Sequence, residues 1–350
     1  MIDKLQKTFS PDDTLYAKDM NLVTGKIDEI VESVSSGSSV GKVDPNSNGT
    51  GEIFNDYDNN KATGKYSHAG GYMCKSSRDL SFSHGQYLIS GGFASVIFSG
   101  GYTNIYLDGE AGTTKYECGK TTGWLKDCLS KKELVNYFKQ GSIKLYDTVD
   151  KAVLDHNIVD VVYEEEGDKI FLILDKTLSS TEALVNKKYG ILRNISSGSY
   201  SFTEGYANFN SSKSSHVEGT NNTLVKTQGS HVEGSLNYAS GRSNDDCIHV
   251  EGFCNTAQNL REHAQGQYNK SNSGSTEDLK TIHSIGVGTN EKRMNAQEVM
   301  RNGDHYVLGI GGYDGTNPES AQTLQEVIKG ITDGMGEINS LLDQINGEVV

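Results

Sequence analysis

Six of the nine histidines share one position of a recurring pentapeptide: His68, His216, His231, His249, His263 and His283. Two residues further on, Glu204, Glu218, Glu233 and Glu251 share another. Imidazoles and carboxylates can hold a transition metal, and paired carboxylates can cleave a glycosidic bond. Threefold association would gather three imidazoles per repeat, which makes a metal ladder the sharpest chemical reading. A metal also needs carboxylates or thiols at fitted distances, and the sequence displays no such spacing. A catalytic carboxylate pair needs unlike environments that separate its two pKa values, whereas equivalent repeats supply like ones. No phosphate loop, metalloprotease helix or G-x-S-x-G turn is present. The expectation is therefore a structural ladder of His216, His231, His249 and His263 beside Glu218, Glu233 and Glu251. The histidines would bond to neighbouring repeats or to the glutamates, with no metal, cofactor or catalytic residue.

The pentapeptides read S-F-T-E-G at 201–205, S-H-V-E-G at 215–219 and 230–234, and I-H-V-E-G at 248–252. E-H-A-Q-G at 262–266 and I-H-S-I-G at 282–286 follow. A weaker set lies upstream: S-H-A-G-G at 67–71, S-F-S-H-G at 81–85 and V-I-F-S-G at 96–100. Each ends in a glycine: Gly71, Gly85, Gly100, Gly205, Gly219, Gly234, Gly252, Gly266 and Gly286. Most lie 14 or 15 residues apart. That unit is too short for a helix pair or a propeller blade, which need about 33 to 45 residues. It suits one solenoid coil of two short strands and two tight turns, with glycine where φ must be positive. Alternation in Ser215-His216-Val217-Glu218 puts His and Glu on one face and Val on the other. A single coil buries little, so stability must come from stacking.

Both ends predict association. Leu324, Ile328, Ile331, Met335, Ile338, Leu342, Ile345 and Val349 alternate spacings of four and three, a heptad seam. Tyr16, Met20, Val23, Ile27, Ile30 and Val34 form a shorter one. β-Branched residues at the d positions, such as Ile30 and Ile331, disfavour a parallel dimer. Gly330, Gly334 and Gly336 weaken the C-terminal seam. Residues 103–199 lose the period. There Val159–Tyr163 and Lys169–Asp175 read as strand, turn, strand, Ser130 opens a short helix, and Trp124, Tyr116 and Tyr137 read as local core.

The chain has 350 residues with 40 glycines and 3 prolines. Its net charge of −14 argues against nucleic acid as partner. No apolar run approaches the ~18 residues of a membrane span, and the first ten residues lack a signal-peptide core. Five cysteines without a Cys-x-x-Cys pair read as reduced thiols made in a cytosol.

These coils resemble the left-handed β-roll head of trimeric autotransporter adhesins and the same module in bacteriophage fibre proteins. The likeness covers about 56–102 and 200–290. The stretch from Gly286 to Gly315 resembles the closing segment of phage tail and fibre proteins. The resemblance implies three parallel chains whose rolls pack around a threefold axis. The expected fold is mainly β: a trimeric left-handed parallel β-roll with a small α+β insert and terminal coiled-coil helices. Expected segments are an attachment helix (1–35), a flexible linker (36–55), a first roll block (56–102) and the insert (103–199). A second block (200–290), a closing β segment (291–318) and a coiled coil (319–350) complete the chain. The expected function is non-enzymatic: a short homotrimeric bacteriophage fibre on the virion, made in the host cytoplasm. A head fibre is favoured over a tail fibre because nothing tip-like follows the heptads. Expected partners are two further copies, capsid or tail proteins bound through the N-terminus, and a host-surface glycan. Neither nucleic acid nor membrane insertion is expected. The alternatives are a bacterial trimeric surface adhesin and a polysaccharide-degrading tailspike.

Overall fold

The computed structural model describes residues 42–348 apart from 45, 47–50, 55–59, 102, 122–124, 126–127, 130, 140–143, 148–151, 168, 179–183 and 242–246. The expected attachment helix with Ile27, Ile30 and Val34, the helix-opening Ser130, Trp124 and Val349 lie outside the described residues.

Parallel pairing builds a solenoid. One strand per coil runs from Glu52–Phe54 through Val96–Gly100, Phe202–Thr203, His216–Val217 and His231–Val232 to Thr281–Val287, each parallel to the strand of the next coil. The other strands of the coils form an eight-stranded sheet from Lys61–Ala62 to Thr256–Ala257. Inside, Val217, Val232, Val250 and Ala264 are fully buried, each valine contributing about 1.5–3 kcal/mol. Buried polar groups share that interior, and many pair with one another, as where the hydroxyls of Ser196 and Ser201 meet at 2.7 Å.

Every coil also carries a non-glycine residue in left-handed backbone. Asn221, Leu236, Cys254 and Tyr268 have φ of 57°, 57°, 54° and 46°. In that conformation each N–H donates to a carbonyl of the preceding coil, for example Leu236 N–H to Thr220 O at 2.9 Å. The stacked neighbours impose a conformation that would be unfavourable alone.

The two repeat blocks are one solenoid. Val96 pairs with Phe202 and Ile89 with Ile195, so coils 106 residues apart in sequence stack directly. The insert leaves after Gly101 and returns by Arg193, so 193–199 belong to the coils and not to the insert. The expected linker also differs. Lys42–Val43 pairs antiparallel with Glu52–Phe54, and the buried Asp44 carboxylate accepts the Ala62 N–H at 2.8 Å. These polar residues thereby cover the open end of the first coil.

The insert closes into a six-stranded barrel of Thr103–Gly109, Lys115–Thr121, Lys169–Leu174, Ala152–Glu164, Lys144–Asp147 and Leu184–Leu192. The strand–turn–strand pair is there, with Val162 opposite Phe171. A helix, α1 (Lys131–Lys139), seals the barrel. Its Leu134, Tyr137 and Phe138 share one core with barrel residues and with Leu236, Cys254 and Tyr268 of the solenoid turns. Tyr116 and Tyr137 are core, as their composition suggested.

The closing segment turns antiparallel. Asn295–Met300 pairs with Thr281–Val287 and then with His305–Val307, ending the parallel stack. A single long helix follows, α2 (Leu324–Glu348). It starts in a capping box: Thr323 Oγ1 accepts the Glu326 N–H at 3.1 Å, and Glu326 Oε2 accepts the Thr323 N–H at 2.8 Å. Along α2, Ile328, Ile331, Met335, Ile338, Leu341, Leu342 and Ile345 are all exposed by half or more.

Candidate functional site

Stacking brings the histidines into one column. The rings of His216 and His231 lie 4.8 Å apart at 4°, those of His231 and His249 5.1 Å at 8°, and those of His249 and His263 4.6 Å at 2°. His283 continues it at 5.2 Å. Upstream the same face is aromatic: Phe54, His68 and Phe82 stack at 4.5 and 4.3 Å. Val217 pointing inward forces its neighbours His216 and Glu218 outward, which is how the sequence builds the column.

The glutamates form a parallel row beside it. Each imidazole Nε2 faces the carboxylate of the preceding coil: His216 to Glu204 at 3.9 Å, His231 to Glu218 at 3.6 Å, His249 to Glu233 at 3.7 Å, and His263 to Glu251 at 3.4 Å. The expectation that no carboxylate reaches these histidines at a fitted spacing is therefore corrected. The carboxylate comes from the adjacent coil, a contact that linear spacing does not display. The glutamates face the imidazoles as expected, but without a hydrogen bond: Nε2 of His216, His231, His249 and His263 is buried and makes none. Glu218 sits between like charges. The neighbouring Glu204 carboxyl, then burial, then Glu233 push its carboxyl above the ordinary value. A shallow groove lined by Glu204, Glu218, Glu233 and the repeat glycines runs along this row.

Most repeat glycines occupy a backbone that other residues rarely adopt. Gly219 has φ +91°, and a Cβ there would stand 2.1 Å from the Gly234 carbonyl oxygen of the next coil. Gly71, Gly85, Gly100, Gly205, Gly234, Gly252 and Gly266 also have positive φ. Gly286 differs: it lies within the strand Thr281–Val287 without a positive φ, and the Gln267 carbonyl, 2.5 Å from an added Cβ, closes its space instead.

A row of asparagines, unread in the sequence, ties the coils together. Asn208, Asn222, Asn237, Asn255 and Asn269 each follow a repeat glycine by three positions, so a G-x-x-N signal was available. Each is buried.

A second candidate lies where the insert meets the solenoid. A cavity of about 220 Å³ opens between α1 and the second sheet, lined among others by Glu133, Asn136, Tyr137, Gln258, Lys270 and Arg293. Arg293 fastens the junction: its Nε and Nη2 donate to Glu133 Oε1 at 2.8 and 2.5 Å, and its Nη1 to the Cys254 carbonyl at 2.6 Å. Beside it the fully buried Arg193 stacks 3.6 Å over the Tyr137 ring and donates to Thr223 Oγ1 at 2.6 Å.

All five cysteines are free thiols. Burial pushes Cys118 and Cys254 up to about 12, leaving these two almost no thiolate near neutrality.

Fold and site together define a parallel β-solenoid carrying a barrel insert and a C-terminal helix. Comparison with known proteins gives no match: no family model, no curated protein and no solved structure aligns with the chain.

Proposed function

We propose that this chain is the subunit of a short homotrimeric bacteriophage fibre, a head fibre in preference to a tail fibre, that contributes to host-surface adhesion and catalyses nothing. The observation that carries the reading is the bare seam of α2. Ile331 and Ile338 are 59% and 57% exposed on a helix joined to a solenoid end. An apolar stripe of this length on one side of a helix is unfavourable in water and is relieved by identical stripes from further copies. Ile at d, with Ile, Met and Leu at a, favours more than two strands. The solenoid then serves as a rigid spacer, and the roll resemblance supplies the parallel threefold arrangement and the left hand.

Adhesion is assigned to the insert junction. Carboxamides, a carboxylate, cationic groups and Tyr137 converge on one cavity, which is the mix of hydrogen-bonding and apolar groups that small-molecule sites use. Three such cavities per fibre, and many fibres per virion, would add weak glycan contacts by avidity. Residues 1–35 are assigned to docking on a capsid protein. Sedimentation equilibrium of the full chain tests the core of the reading: the expected mass is three times 38.0 kDa, and a monomer or dimer at micromolar concentration overturns it.

A further inference from the structure

The ladder contains three repeats of one arrangement: Glu204, His216 and Glu218; Glu218, His231 and Glu233; Glu233, His249 and Glu251. Within each, one imidazole nitrogen and two carboxylate oxygens all lie within 4.8 Å of one another. Ligands of a tetrahedral ion held at ~2.0–2.2 Å stand about 3.4 Å apart. The imidazole–carboxylate distances of 3.9, 3.6 and 3.7 Å are already close to that edge. Small side-chain rotations close the remainder, since each side chain is half-buried and Glu204, Glu218 and Glu233 line the open groove.

Two further observations point to a cation. Each Nε2 is buried, makes no hydrogen bond, and faces a carboxylate. A nitrogen so placed either carries a proton to pair with its glutamate or lends its lone pair to an ion. The row also sets four carboxylates on successive coils with no lysine or arginine ion-paired to them among the described residues. Backbone stacking sets the four carboxylates in one row on successive coils, which concentrates negative charge there.

We propose that the Glu–His ladder binds divalent transition-metal ions, two per chain. One is held by Glu204, His216 and Glu218, and the other by Glu233, His249 and Glu251. The count follows from the ligands. These two triads share no residue, whereas the middle triad borrows Glu218 from one and Glu233 from the other. Two divalent ions also neutralise the four carboxylates. Imidazole with carboxylate selects zinc, nickel or copper over calcium and magnesium, which take all-oxygen shells. Water completes each shell from the groove. An ion so held clamps adjacent coils, so metal binds the folded chain and not the unfolded one, and raises its stability.

The test is zinc uptake by the full-length chain, stripped with EDTA and dialysed against micromolar zinc chloride, with bound metal read by mass spectrometry. Two equivalents per chain are expected, together with a higher melting temperature. His231→Gln should still take up two, because it removes only the shared triad. The triple change His216→Gln, His231→Gln, His249→Gln should take up none. Fewer than two equivalents in the unaltered chain overturns the proposal without reference to any variant. Three equivalents overturns the pairing of ligands. Undiminished uptake in the triple variant overturns the assignment to this ladder.

Discussion

Asn208 and Asn222 stand one coil apart, and the side-chain oxygen of the first accepts the backbone N–H of the second at 2.8 Å. The same bond recurs up the stack, from Asn237 N–H to Asn222 at 2.9 Å, Asn255 N–H to Asn237 at 2.7 Å, and Asn269 N–H to Asn255 at 3.0 Å. Each carboxamide nitrogen also donates across coils, as from Asn222 to the carbonyls of Glu218 and Gly234 at 2.5 and 2.9 Å. The side chain thus ties its own coil to the next, while its backbone N–H ties it to the one before. This row sets the register that holds the histidines face to face.

Asn222→Ala is expected to destabilise the chain by about 3 kcal/mol. It leaves the Asn237 N–H and the Glu218 carbonyl without their partners, at roughly 1–3 kcal/mol for each buried group. Urea unfolding of the variant beside the unaltered protein measures the difference. A loss under about 1 kcal/mol would show that water replaces the carboxamide.

Two glycines separate strain from crowding. Gly219 and Gly303 have nearly the same φ, +91° and +92°, but a Cβ at Gly303 meets nothing within 4 Å. Gly303→Ala should cost only the conformational penalty, about 1 kcal/mol. Gly219→Ala must in addition push two backbones apart and should unfold several coils. Equal melting temperatures for the two variants would contradict the close approach.

Glu262 gives a pH dependence. It is fully buried, and burial pushes its carboxyl up to about 7 despite the Ser271 hydroxyl and the N–H groups of Gln258 and Asn259. Glu298 is the neighbouring acid that adds to the shift. A folded-state pKa above the unfolded one means that the native chain binds more protons between about 4.5 and 7. The contribution is complete below 4.5 and is lost as pH rises through 7, by about 3 kcal/mol in all. Glu262→Gln should flatten that part of the melting-temperature profile between pH 5 and 8, roughly the range in which the penalty develops. An unchanged slope would assign the dependence to other groups.

Two changes on α2 should move in opposite directions. Ile331→Asp with Ile338→Asp should convert the proposed trimer to monomer in sedimentation, because it places charges on the apolar stripe. Gly330→Ala with Gly336→Ala should raise trimer stability by up to about 1 kcal/mol per helix position. A Cβ added at either glycine meets nothing within 4 Å beyond the helix's own backbone, so within the chain the new methyls meet no obstruction. A seam variant that keeps its mass would show that the solenoids alone hold the assembly.

The repeat glycines, the inward valines and the apolar stripe of α2 were legible in the sequence because each follows from local periodicity. A side chain one place from Val217 must point the other way, and a glycine at fixed phase marks a turn that recurs. The helix pattern from Leu324 to Ile345 needs only spacings of three and four. Tertiary structure alone decided the rest, because it depends on which coil lies beside which. Joining Val96 to Phe202 across the insert merges two blocks into one stack, and closing the insert into a barrel depends on strand pairings far apart in sequence. The ladder shows the limit most plainly. His216 and Glu204 are twelve positions apart, no local rule pairs them, and only stacking of one coil on the next brings the carboxylate to the imidazole.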